Sequence, residues 1–163
     1  MHNQSKQTLG LVACLAITFV AAAIGGTASV NANSFYSQLV QPAWAPPSWV
    51  FGPVWTALYI MMGVAAWLVW RERGYQPARF AITLFLSQLA LNSLWSWLFF
   101  GWQLGAWAFA NILVLWILIV MTMVAFFRIR ALPAWLMVPY LFWVSFAAVL
   151  NYAVWQLNPT ILG

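Results

Sequence analysis

Apolar positions fall along this chain in five long blocks, separated by short polar or proline-rich breaks. Measured against the roughly 20 residues that an α-helix needs to cross a bilayer, the blocks predict helices at about 9–30, 49–70, 79–100, 106–127 and 133–155. One connection is long, a loop over about 31–48. Inside the blocks the polar residues are few and periodic. Gln88, Asn92 and Ser96 recur at i, i+4 and i+8, and Trp143, Ala147 and Asn151 repeat that spacing. Each set therefore makes one stripe along its helix, and polar groups at membrane depth turn toward the bundle interior or a cavity.

Composition fixes the class. Of 163 residues, 66% are hydrophobic and 4% are charged, whereas a soluble domain carries roughly 25% charged residues. The expectation is an all-α membrane protein, a bundle of five transmembrane helices in one domain over residues 1–163, with the lipid bilayer as its surroundings. Charge then orients it. Lys6, Arg71, Arg73, Arg79, Arg128 and Arg130 all fall on the side that carries the N-terminus. By the excess of cations in cytoplasmic loops, the N-terminus is expected in the cytoplasm. The net charge of +5 is thus a topology signal, and no nucleic-acid partner is expected. The first apolar run exceeds the 7–15 residues of a signal core, so it is read as a retained helix.

The acid–base inventory is nearly empty. Glu72, His2 and Cys14 are each the sole residue of their kind, Glu72 being the chain's one acid. No Ser-His-Asp set and no zinc site can be assembled from them, so neither catalytic side chains nor metal ligands are expected. Cys14 reads as a small buried hydrophobe.

Against that background the stretch QPAWAPPSWVFGPVW, residues 41 to 55, carries three tryptophans and four prolines. Proline restricts itself and its predecessor to extended or turn backbone, so Pro46-Pro47 predicts a stiff segment. Ser48 is placed to cap the second helix, and Gly52-Pro53 falls in its first turns. At about 1.5 Å per residue, Trp55 lies roughly 9 Å below the loop side, Asn92 about 12 Å, Asn111 about 7 Å, Asn151 about 6 Å and Trp143 about 18 Å. Each amide alone could be interhelical glue; three amides beneath an aromatic loop favour a cavity. Such a site would suit a flat, mostly apolar ligand, held by stacking and a few neutral donors. The pair Gly101 and Gly105 forms G-x-x-x-G at a predicted loop, where a turn is the expected role.

In these residues the chain resembles the TspO/MBR family, the bacterial tryptophan-rich sensory proteins and the translocator (peripheral benzodiazepine receptor) proteins. The matching blocks are FYSQLVQPAWAPPSWVFGPVWTALY at 35–59, SQLALNSLWSWLFFG at 87–101 and VPYLFWVSFAAVLNYAVW at 138–155. The resemblance covers nearly the whole chain and is weakest over the first 30 residues. It implies a five-helix bundle, commonly a homodimer, in the inner membrane of a bacterial cell. It also implies binding of porphyrins such as protoporphyrin IX and of synthetic aromatic ligands beneath the first loop, with no obligatory cofactor. Carried over by position, the ligand-binding residues would be Tyr36, Trp44, Trp55, Asn92, Trp95, Trp107, Trp143, Ala147 and Leu150. Trp55 and Trp143 match tryptophans that the family links to light-dependent porphyrin breakdown. The family's proposed cholesterol motif departs here: Leu150-Asn151-Tyr152 is followed by Ala153, Val154, Trp155 and Gln156, with no closing base. That argues against cholesterol recognition. Three functions stay open at this point: a porphyrin receptor, sensor or translocator; a photo-oxidative porphyrin-degrading activity; and a membrane assembly protein without a small ligand.

Overall fold

The computed structural model describes residues 2–163, the side chains of His2, Asn3, Gln76 and Pro77 excepted. The side chain of His2, the sole histidine excluded above as a catalytic group or zinc ligand, therefore lies outside the described residues. Eight helices follow in chain order: α1 His2–Ala28, α2 Ala32–Gln38, α3 Phe51–Arg73, α4 Tyr75–Ser96, α5 Gly105–Phe127, α6 Ala131–Leu136, α7 Val138–Leu157 and α8 Pro159–Leu162. Five segments are long and apolar enough to cross a membrane, with α6 and α7 together forming the fifth. This is the expected five-span, all-helical membrane protein.

The departures from expectation each have a local cause. α1 starts seven residues before the apolar block predicted from about 9, because the polar sequence NQSKQT can continue a helix out of the apolar zone. The loop at 31–48 holds a short helix, α2, pinned by the buried Phe35 and Tyr36. Ser48 caps nothing. It opens a 3₁₀ turn, Ser48–Val50, that follows extended Pro47 and leads into α3 without a side-chain cap. The fifth span is broken at Met137. Pro139 has no N–H to give the preceding turn and its ring crowds that turn, so the helix restarts with proline in its first turn. α4 ends by widening into a π turn over Trp97–Gly101, which delivers Phe99 to the interior.

The helices surround a core containing Met62, Val69, Ile112, Ile119, Phe126 and Tyr140, all essentially inaccessible. α1 packs on α3 and α4, α4 on α5, α5 on α7 and α6, and α6 on α3. This up-and-down order puts all six cations at one end, where Arg130 and Glu72 pair at 3.5 Å. The long loop, residues 102–104 and α8 lie at the other, the lid end.

α1 is the most lipid-exposed span and is held by close backbone approach. At Gly63 of α3 a Cβ would stand 2.7 Å from Leu15 Cδ2 and 3.2 Å from the Leu15 Cα. The first atom could swing away, but the second is backbone, so any side chain would push α1 outward. Gly63→Val is expected to cost about 1–3 kcal/mol, the range for overpacking a well-fitted contact. Thermal unfolding in detergent checks this. Gly26→Ala, where a Cβ meets nothing within 4 Å, should leave the midpoint close to that of the parent protein.

Candidate functional site

The lid is a folded unit with its own core. Phe35, Tyr36 and Leu39 pack with Phe99, Ala108, Leu150, Val154 and Leu162, so α2 and the start of the loop are clamped over the ends of α5 and α7. Two polar devices fix the chain beyond them. Gln41 Nε2 donates to the Tyr36 carbonyl at 2.6 Å. The buried Asn158 side chain accepts from the Val40 N–H at 2.8 Å and donates to the Val40 carbonyl at 2.9 Å. Its amide also donates to the Val154 carbonyl at 2.7 Å. One side chain therefore satisfies both backbone groups of a loop residue and ties the lid to the end of α7.

Beneath the lid lies a cavity of about 630 Å³. α1 supplies a wall of small residues, Ala22, Gly25 and Gly26, with Phe19 beside them and Ser29 just past its end. Tyr36 of α2, Phe51, Trp55 and Tyr59 of α3, Asn92, Trp95 and Ser96 of α4, Phe100, and Trp143 and Ala147 of α7 complete it. The space exists because α3 meets α7 through rings rather than through close backbone packing. Tyr36 stands edge-on to Phe51 at 5.6 Å and Phe51 edge-on to Trp143 at 5.8 Å, and Trp143 lies 5.5 Å from Phe146. Deeper, Trp55 touches Tyr59 at 5.7 Å and Tyr140 at 6.2 Å.

The floor is a buried hydrogen-bonded chain. Tyr59 O–H donates to Asn92 Oδ1, Asn92 Nδ2 to the Tyr140 oxygen, and Tyr140 O–H to Gln88 Oε1, each at 2.8 Å. Asn92 thereby joins α3, α4 and α7. The other two amides do not converge on the cavity as expected. Asn111 donates to the Leu91 carbonyl at 3.0 Å. Asn151 accepts from the Trp95 indole at 2.9 Å and donates to the Gly105 carbonyl at 3.2 Å. Both are interhelical ties. Gly105 itself is required for contact rather than for a turn, since a Cβ there would sit 2.8 Å from the Trp155 ring.

Among the described residues, two that line the cavity carry a buried donor with no protein partner: the Tyr36 hydroxyl and the Trp143 indole N–H. A buried polar atom without a partner is costly, about 1–3 kcal/mol, so each of these two donors lacks an acceptor it needs. Burial also pushes the Tyr36 phenol up from its ordinary value, which keeps it a donor. Among the described residues, no charged side chain lines the cavity.

Six of the nine residues carried over from the sequence line this space: Tyr36, Trp55, Asn92, Trp95, Trp143 and Ala147. Three stand elsewhere. Trp107 is 67% exposed; Ala108, Ile112 and Leu115 are the buried face of α5, and the neighbouring position is turned about 100° away from it. Trp44 is 48% exposed and sits edge-on to Phe146, on top of the lid. Leu150 is buried in the lid core. Sequence reasoning missed the α1 wall and Tyr59. The run AAAIGG at 21–26 was the signal for the first, since small side chains leave room. The i, i+4 spacing from Trp55 was the signal for the second.

The chain matches the TspO/MBR family model over residues 12–156. It is 42% identical over 160 residues to the tryptophan-rich protein TspO of Chlorobaculum tepidum, covering 95% of this chain and 99% of that protein. It is 41% identical over 126 residues to the translocator protein of Homo sapiens, covering 76% and 75% of the two chains. To the tryptophan-rich sensory protein of Cereibacter sphaeroides it is 38% identical over 148 residues, covering 88% and 91%.

The lid attachment can be tested directly. Asn158→Ala leaves the Val40 N–H and carbonyl without partners and removes three hydrogen bonds, an expected loss of about 2–3 kcal/mol. In hydrogen exchange, amides of residues 36–45 should exchange faster, while those of α5 stay protected. Unchanged exchange over the lid would show that Asn158 does not hold it.

Proposed function

Because this chain belongs to the TspO/MBR family, we propose that it is a membrane receptor or sensor for flat aromatic ligands of the tetrapyrrole type, with protoporphyrin IX as the representative ligand. The multi-pass membrane architecture is the frame; the ligand class is read from the cavity. Its volume falls within the roughly 300–1,000 Å³ of small-molecule sites. Its walls offer ring faces and edges for stacking, and its lining has no cation to pair with a phosphate. The observation that carries the reading is the pair of unpartnered donors, Tyr36 O–H and Trp143 N–H, on residues that line a mostly apolar cavity. A porphyrin is mostly apolar and bears two carboxylates, which could accept from these donors or reach water past the lid. Positive charge at one end of the bundle supports a cytoplasmic N-terminus, and the proposed setting is the inner membrane of a bacterial cell, with the protein as a homodimer. The cholesterol motif lacks its base, so a sterol is not part of the proposal.

One observation favours a second reading, photo-oxidative breakdown of the bound porphyrin with dioxygen as oxidant. The rings Trp55, Tyr59 and Tyr140 are in continuous contact below the cavity and could relay an electron without any acid–base side chain.

Protoporphyrin IX titrated into purified protein, followed at the porphyrin absorption band, is expected to saturate. Trp143→Phe keeps the ring and deletes the N–H, and Tyr36→Phe deletes the hydroxyl. Each should weaken binding by about 3–10-fold, the worth of one hydrogen bond, whereas Trp107→Phe should not. Non-saturating uptake, or equal effects of all three substitutions, would remove the cavity assignment. The second reading predicts that illumination in air bleaches bound porphyrin faster than porphyrin in detergent alone, and that Trp55→Phe slows it. Bleaching at the detergent rate eliminates it.

A further inference from the structure

A second hollow, about 540 Å³ in volume, lies at the end of the bundle away from the lid. The N-terminal half of α1, the last turns of α3 and the first half of α4 form it, and none of its lining residues belongs to the cavity under the lid. Its walls are aliphatic and aromatic, Ala13 and Ile17 on one side and Trp70 and Phe85 on the other. A Cβ at Gly10 would run into the Trp70 ring, so glycine there lets the indole lie against α1. Among the described residues, only Lys6 and Tyr75 bring a charge or a hydroxyl to the lining. Lys6 stands at the N-terminal end of the groove, which follows α1 to Ile17 for about 16 Å. The shape is a long apolar slot headed by one ammonium and one phenol.

Charge decides what fits it. Arg71, Arg73 and Arg79 belong to the same end of the bundle, and the chain's one acid, Glu72, is paired with Arg130. A second copy of this chain would bring no carboxylate free to meet Lys6. A neutral flat aromatic guest would leave the ammonium without an anion. A choline headgroup would bring a cation to a site without an acid. An anionic lipid satisfies both parts, because basic pockets between membrane helices hold acidic headgroups and the slot can hold an extended acyl chain.

We propose that this groove is a binding site for one anionic glycerophospholipid of the surrounding bilayer. The Lys6 ammonium and the Tyr75 hydroxyl hold the phosphodiester, and one acyl chain lies along α1 between Ala13 and Phe85. This site is independent of the porphyrin reading and of the cavity that carries it.

The test is native mass spectrometry of delipidated protein in detergent, offered equimolar palmitoyl-oleoyl phosphatidylglycerol and palmitoyl-oleoyl phosphatidylcholine. One phosphatidylglycerol per chain is expected to persist, preferred by about 5-fold, the effect of one cation near an acidic headgroup. Lys6→Gln should abolish the preference while leaving weak uptake of both lipids. Ala13→Trp, at an exposed position on the groove wall, should block both lipids. Arg128→Gln, which lines no part of the groove, should change nothing. Equal uptake of the two lipids by the parent protein overturns the proposal. So does a preference that survives both Lys6→Gln and Ala13→Trp, or one that Arg128→Gln removes as fully as Lys6→Gln.

Discussion

In a bilayer a polar side chain has no water to fall back on, and one amide in this protein resolves that constraint for three helices at once. Asn92 accepts from Tyr59 of α3 and donates to Tyr140 of α7, which passes its own proton donor on to Gln88. Every residue in that chain is buried, and the bonds between its polar groups run from one helix to another. Sliding α3 or α7 by one residue would leave at least two of them orphaned, each at a cost of about 1–3 kcal/mol. Hydrophobic contact sets no such register here, because lipid is as apolar as leucine. The hydrogen-bonded chain therefore fixes how the helices stand, and the rest of the lid end is built on that spacing.

Above that floor, bulky rings keep α3 and α7 apart. Phe51, Trp55 and Trp143 contact one another's neighbours edge-on, an arrangement that aromatic quadrupoles favour and that leaves the space between the helices open. α1 closes the side of that space with small residues. The lid closes the top through its own apolar cluster, which shares Tyr36 with the cavity wall. Structure and chemistry are thus divided: Gln88, Asn92 and Tyr140 hold the frame, and Tyr36 and Trp143 present donors.

Much of this was legible in the residues. Five spans and the gathering of cations at one end follow from block length and charge alone, since lipid enforces both. Six of the nine site positions carried over from the family resemblance line the cavity, and three of them, Asn92, Trp143 and Ala147, also lie on the stripes of helical period in the sequence. What stayed hidden depends on rotation and partner choice. Trp107 neighbours the buried face of α5 and yet points away from it, and a turn of about 100° per residue cannot be phased from an apolar helix with no polar side. Asn111 and Asn151 show polarity in the sequence but not whom they bond, so their role as ties was invisible. α2 was missed because ANSFYSQ is short and is stabilised by Phe35 and Tyr36 meeting residues far along the chain.

The absence of charge around the cavity has a consequence for how the site can respond to its surroundings. Among the lining residues only the phenols of Tyr36 and Tyr59 can ionise, and a phenol ordinarily titrates near 10. Between pH 5 and 8 the walls therefore exchange no protons with the medium. By thermodynamic linkage, any dependence of occupancy on acidity in that interval must come from the guest's own carboxyl or ring-nitrogen equilibria. Under the proposed function the pocket would add no proton switch of its own, and a guest's protonation state would matter only through its partition into the membrane.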